Sequence, residues 1–165
     1  MIIINKRNLF FLISVWLLST LLSAQNVTIS TPHTQLLLSV PNGGTPEQLY
    51  YGSRTSDADI RSICETARRR NAYPVYGMGY PCETALSVRH ADGNLTLQMA
   101  VIGVKETRLT KENATLTVIE LKDKVYPFFV NICYKAWQDA DVIETWTEIR
   151  HEEKKPVQLQ QFASA

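Results

Sequence analysis

Apolar and polar positions alternate through most of the chain with the two-residue period of half-buried strands. Between residues 85 and 101, Leu86, Val88 and His90 alternate with Ala85, Ser87 and Arg89, and Leu95, Leu97 and Met99 resume the alternation after a turn. The turn holds Asp92-Gly93, a pair suited to a tight connection because both central positions of a type I′ turn take positive φ. The pattern therefore predicts a β-hairpin over 85–101 that turns at this pair. Further strand-like runs lie at 27–30, 35–40, 48–51, 116–121, 126–137, 142–151 and 157–162. The segments Lys111-Glu112-Asn113, Asp123-Lys124, Asp139-Ala140-Asp141 and Glu152-Glu153-Lys154-Lys155-Pro156 between them have turn chemistry. Many short strands at regular spacing predict a mainly all-β fold, an antiparallel β-sandwich.

One stretch departs from period two. Ser56-Asp57-Ala58-Asp59 can cap a helix, and Ile60, Ile63, Cys64 and Ala67 recur at the spacing of a single apolar helical face. One short helix is expected within 57–70, with Ile60, Ile63 and Ala67 turned inward. Arg68-Arg69-Arg70 would close it, where positive charge suits the helix dipole.

The front of the chain reads differently again. Asn5-Lys6-Arg7 is basic, residues 9–22 are almost unbroken apolar, and Ser23-Ala24 precedes the polar Gln25-Asn26. That is the layout of a secretory signal peptide cleaved near Ala24. The apolar run falls short of the roughly 20 residues a spanning helix needs. Residues 1–24 are thus assigned to a signal peptide and 25–165 to one partial sandwich domain, secreted or periplasmic. The last run reaches Phe162-Ala163-Ser164-Ala165 without a polar tail, so the sandwich is expected to be cut short.

Charge and cysteines narrow the function classes. Without Lys6 and Arg7 the 17 basic residues fall to 15 against 16 acidic, and this balance favours neither nucleic acid nor a membrane surface beyond the signal peptide. Cys64, Cys82 and Cys133 are odd in number, so at least one is free or pairs with another chain. No Cys-x-x-Cys or Cys/His cluster suggests a metal, and no cofactor motif occurs. His33, His90 and His151 are far apart, Gly43-Gly44 follows Pro41-Asn42 as a turn, and Glu152-Glu153 reads as a solvated turn. Tyr126, Phe128, Tyr134, Trp137 and Trp146 are expected to pack the core, with a sugar-stacking platform as the alternative.

A longer pattern runs across these elements. Leu49-Tyr50-Tyr51-Gly52 is followed by Tyr73-Pro74-Val75-Tyr76-Gly77, then Glu83-Thr84-Ala85-Leu86-Ser87-Val88, then His90-Ala91-Asp92-Gly93. Tyr134, Asp141-Val142-Ile143, Ile149 and Pro156-Val157 come later in order. From about Leu36 onward this resembles the amino-terminal domain of glycoside hydrolase family 36, the α-galactosidases. The resemblance implies a β-supersandwich, incomplete here, ahead of a (β/α)8 barrel that carries both catalytic aspartates, and hence no catalytic residue in this segment. It implies a whole enzyme that releases terminal α-linked galactose with retention and without a cofactor. The implied partners are the missing barrel of the same polypeptide, galactoside oligosaccharides and further copies of the chain in a homo-oligomer.

Members of that family send an Asp and an Arg, from the loop before the position of Tyr73, towards a galactose site, sometimes a neighbouring subunit's. Asp57, Asp59 and Arg61 occupy that interval and are the candidate substrate-binding residues. The loop is shorter here, and Gly79-Tyr80-Pro81-Cys82-Glu83-Thr84 stands where many members carry an Asp-aromatic-Arg-Glu-Pro run. The reading from another class is a free-standing secreted sandwich that binds glycans or a protein partner.

Overall fold

The computed structural model describes residues 25–79, 81 and 83–163. The signal peptide expected over 1–24 and Cys82 lie outside the described residues. In chain order the elements are β1 (Gln25–Ser30), β2 (Thr34–Val40), β3 (Glu47–Ser53), α1 (Asp57–Thr66) and β4 (Arg70–Asn71). There follow β5 (Leu86–Arg89), β6 (Met99–Leu109), a 3-10 turn at Thr110–Glu112, β7 (Ala114–Asp123), β8 (Phe128–Trp137), β9 (Val142–His151) and β10 (Gln158–Phe162). One antiparallel sheet has the order β1-β2-β3-β4 and another is the meander β6-β7-β8-β9, while β5 pairs with β10.

The sheets share one core, and alternation explains who enters it. On β8, Phe128, Val130, Ile132, Tyr134 and Ala136 point inward, and β7 adds Ile119 and Leu121. Val27 and Ile29 of β1 and Leu36, Leu38 and Val40 of β2 meet them, with Leu86 and Val88 of β5. Each fully buried large side chain contributes roughly 1.5–3 kcal/mol. Of the aromatics expected inside, Phe128 and Tyr134 are buried. Trp137 and Trp146 stand opposite Ala114 and Cys133 on the outer face of the meander.

The seven strand-like runs outside the 85–101 segment all became strands, displaced at their ends by no more than a few residues. The hairpin over 85–101 did not form. Asp92-Gly93 does turn the chain, with Gly93 at φ 93° and the His90 amide bonded to the Asn94 carbonyl (2.8 Å). The two flanking strands never pair: β5 takes β10 on one side and bridges to Val75 on the other, while β6 pairs with β7. Leu97 is buried, and its amide bonds to the Tyr76 carbonyl (3.0 Å) instead of to β5. A turn sequence sets a local reversal; burying Leu86, Val88 and Leu97 together decides which edges meet. The outer half of β6, beyond Ile102, carries no alternating burial and is a strand because β7 pairs along its whole length.

Gly77 shows why the tyrosine-glycine turn needs its glycine. Its φ is +102°, and a Cβ there would stand 2.5 Å from Thr96 Cγ2 and 2.9 Å from the Thr96 backbone. Gly77→Ala is expected to destabilise the domain by roughly 1–3 kcal/mol, from positive φ and backbone collision together. A change below 0.5 kcal/mol (~) in urea unfolding would contradict the close approach.

α1 forms where its pattern placed it. Ser56 Oγ accepts from the Asp59 amide (3.3 Å) and donates to the Asp59 carboxylate (2.7 Å). Ile60, Ile63 and Cys64 are its half-buried residues, Ala67 continues that face just past the end, and the rest of the helix is exposed. The arginine triplet lies past the helix, because Ala67 is already extended (φ −62°, ψ 140°). Arg69 instead donates to Glu47 (2.8 Å) and Ser39 (3.1 Å), and Arg70 belongs to β4. Among the described residues Cys64 and Cys133 form no disulfide. Burial, helped by the charge of Glu148, pushes the Cys133 thiol up to about 11, so it is an inert buried group at neutral pH.

The two large sheets are tied at one end through Asp141, which sits at φ 54° in the β8–β9 turn. Its carboxylate accepts from the buried Thr31 hydroxyl (2.5 Å) and from the His33 amide (3.0 Å) in the β1–β2 turn. These bonds, led by Thr31 and helped by the nearby His33 ring, hold the carboxyl below the ordinary aspartate value of 3.8. A depressed carboxyl contributes stability above its unfolded pKa and loses it as pH falls through the folded one. Asp141→Asn is therefore expected to be less stable than the parent at pH 7. The difference should close as the pH drops below 3.8. A gap independent of pH in paired urea titrations would count against the carboxylate's role.

Candidate functional site

The three residues singled out from sequence, Asp57, Asp59 and Arg61, lie together on the first turns of α1 and are exposed. Asp59 is engaged with its own cap at Ser56. The two acidic groups suit the positive end of the helix dipole. None of the three lines the groove between α1 and β3, which Ile63 and Thr66 of the helix line together with Ala67, Arg68 and Arg70 just past its end. The fold thus leaves all three exposed, with Asp57 and Arg61 one turn apart and Asp59 on the other side of the helix, and does not place them in this groove.

A denser constellation lies elsewhere, around the Asp92-Gly93 turn. His90, the last inward position of the β5 alternation, has a side chain with no solvent exposure, and Glu153 is 6% exposed. Glu153 Oε1 is 2.7 Å from His90 Nδ1, and its other oxygen accepts from the Ala91 amide (3.0 Å). The expectation of a solvated Glu152-Glu153 turn thus fails for Glu153. The 152–156 connection folds back over the β5 end, where the Glu152 amide bonds to the Pro127 carbonyl (2.8 Å), and this carries Glu153 inward.

Tyr126 covers the pair. Its ring stacks on His90 at 3.7 Å with 10° between planes, and Phe128 meets the imidazole edge-on at 5.9 Å. The Tyr126 hydroxyl donates to Asp92 (2.7 Å) and accepts from Asn94 Nδ2 (3.0 Å). The Asn94 amide and then the Tyr126 hydroxyl hold the Asp92 carboxyl below its usual range, so it stays ionised and accepting. Beside the ring opens a pocket of about 430 Å³ lined by Ala91, Asp92, Tyr126, Pro127, Glu153 and Lys155 among others. Sequence reasoning missed this cluster because its halves are 62 and 63 residues apart. The available signal was a histidine on an inward strand position, which when buried calls for a polar partner.

Both carboxylates here are committed, Glu153 to imidazole and amide, Asp92 to phenol and amide, so neither stands ready as an acid or base for glycoside cleavage. Among the described residues no group of three His, Cys, Asp or Glu is placed to hold a metal ion.

The glycosyl hydrolase family 36 N-terminal domain matches residues 44–165. The chain belongs to this family. No curated protein matches it by sequence. Among solved structures, the α-galactosidase of Lactobacillus brevis superposes with a TM-score of 0.73 at 16% identity, covering 86% of this chain and 23% of that one. The α-galactosidase AgaA of Geobacillus stearothermophilus gives 0.73 at 15% identity, covering 85% and 24%. The galactosidase domain of the α-galactosidase-sucrose kinase AgaSK gives 0.68 at 22% identity, covering 84% and 24%. At these identities the likeness establishes the fold. The family 36 chain described here spans about a quarter of the length of those enzymes.

Proposed function

We propose that this chain is the front of the non-catalytic sandwich domain of an exported, α-galactosidase-like glycoside hydrolase, which as a whole cleaves terminal α-galactosides. The observation that carries the reading is the family 36 domain match over residues 44–165. Export rests on the basic start, apolar run and small residues of 1–24. The domain is scaffold: a barrel of about 250 residues assembles its active site from loops after several strands, and the described residues form open antiparallel sheets with no such ring. Asp57, Asp59 and Arg61, outward on α1, are assigned to contact substrate at the barrel or at a neighbouring subunit.

Two preparations test this with a chromogenic α-galactoside. The chain alone is expected to show no turnover above a mock preparation. A polypeptide extended through the codons beyond Ala165 is expected to turn over substrate, with a raised KM on Asp57→Ala or Arg61→Ala. Turnover by the chain alone that vanished on replacing one of its own carboxylates would overturn the scaffold reading. An amino terminus other than one near Gln25 in the exported protein would overturn the cleavage assignment.

A further inference from the structure

The stacked pair of His90 and Tyr126 is a platform with one face in use. The imidazole beneath is sealed from solvent, while Tyr126 stays half-buried, so the ring's accessible surface is its opposite face. That face borders the 430 Å³ pocket, whose lining also includes Asp92, Glu152, Lys154 and Lys155. The ring is held from its rim by Asp92 and Asn94, and the imidazole under it is held by Glu153. A ligand therefore meets a preorganised surface and loses little free energy in ordering it.

Two outward aromatics of the meander are differently occupied. Lys135 lies 3.8 Å over Trp137, and Arg150 lies 4.0 Å over Phe129, so cations cover those rings. Tyr126 has no cation over it among the described residues. The pocket carries carboxylates and ammonium groups together, and Glu152 is ion-paired with Arg150, so the lining selects neither a cation nor an anion. What fits is a neutral molecule with one apolar face for the ring and a rim of hydroxyls for Asp92 and the lysines. A pyranoside has that construction, with axial C–H groups on one side and hydroxyls around its edge.

We propose that this pocket is a pyranoside-binding site, with Tyr126 as the stacking platform and Asp92, Lys154 and Lys155 as hydrogen-bonding partners. Only the choice of galactosides among pyranosides rests on the family 36 reading.

The full chain, labelled with nitrogen-15, is titrated with methyl α-galactoside and separately with methyl α-glucoside. Saturable shifts are expected for methyl α-galactoside at the amides of Ala91, Asp92, Tyr126, Lys154 and Lys155, with a Kd on the order of millimolar. Tyr126→Ala should remove the saturation. Because alanine there uncovers His90 and can loosen the fold, Asp92→Ala serves as the second variant. It removes one of the two rim bonds to the Tyr126 hydroxyl but keeps the ring, the Asn94 bond and the His90–Glu153 pair, and should weaken binding roughly three- to tenfold. Failure of both sugars to saturate, or shifts centred on Trp137 and Trp146, overturns the site. It leaves the family reading untouched, because turnover of the longer polypeptide decides that one. Saturation by the glucoside alone overturns the galactoside assignment.

Discussion

Glu153→Ala is expected to lower the unfolding free energy by about 2–5 kcal/mol, at about 1–3 kcal/mol for each buried or part-buried hydrogen-bonding group left without its partner. The magnitude follows from what the side chain leaves behind. His90 Nδ1 and the Ala91 amide both lose their acceptor at a place where the imidazole has no solvent exposure. His90 Nε2 is already buried without a partner among the described residues, so the ring would have no hydrogen bond at all. The check is urea unfolding followed by tryptophan fluorescence at neutral pH. A double-mutant cycle with His90→Phe separates the pair from the rest. If the pair matters as a unit, Glu153→Ala costs much less in the His90→Phe background. Equal costs in both backgrounds would show that Glu153 acts only through Ala91.

Phe128→Ala is expected to cost about 3–5 kcal/mol, as for other large aromatic deletions in cores. Phe128 begins β8, has no solvent exposure, and faces His90 edge-on, so it joins the main core to the polar cluster. Its removal leaves a cavity between groups that cannot collapse without moving the His90–Tyr126 stack. Val142→Ala at the start of β9, where the side chain is 51% exposed, is the control and should change stability by less than about 0.5 kcal/mol. A Phe128→Ala loss under about 1 kcal/mol would mean that the site collapses, against the packing described above.

Legibility in the sequence followed the range of the interaction. Strands β1, β3, β7, β8, β9 and β10 could be read from alternation, because on a half-buried strand each position's face is fixed by its neighbours two residues away, and β2, buried along nearly its whole length, from its short apolar run. α1 could be read from Ser56 and from the spacing of Ile60, Ile63 and Cys64, which the Asp59 amide bond to Ser56 and the half-buried face bear out. The family was legible as well, since Gly77 and the Asp92-Gly93 turn are local demands on backbone conformation that side chains elsewhere cannot replace.

What only the tertiary structure decided is pairing and burial between distant segments. The Asp92-Gly93 turn is a true turn, yet β5 chose β10, about 70 residues on, because that edge completes the burial of Leu86 and Val88. Glu153 reads as one more solvated charge in a run of Glu and Lys. It becomes a buried partner because the β9–β10 connection crosses the end of β5, where His90 has no other neighbour for Nδ1. Short-range order is written by φ preferences and by the two- and 3.6-residue periods, and these fixed the elements of this chain. Which strand edges meet, and which charges are carried inside with them, depends on the summed burial of groups far apart in sequence.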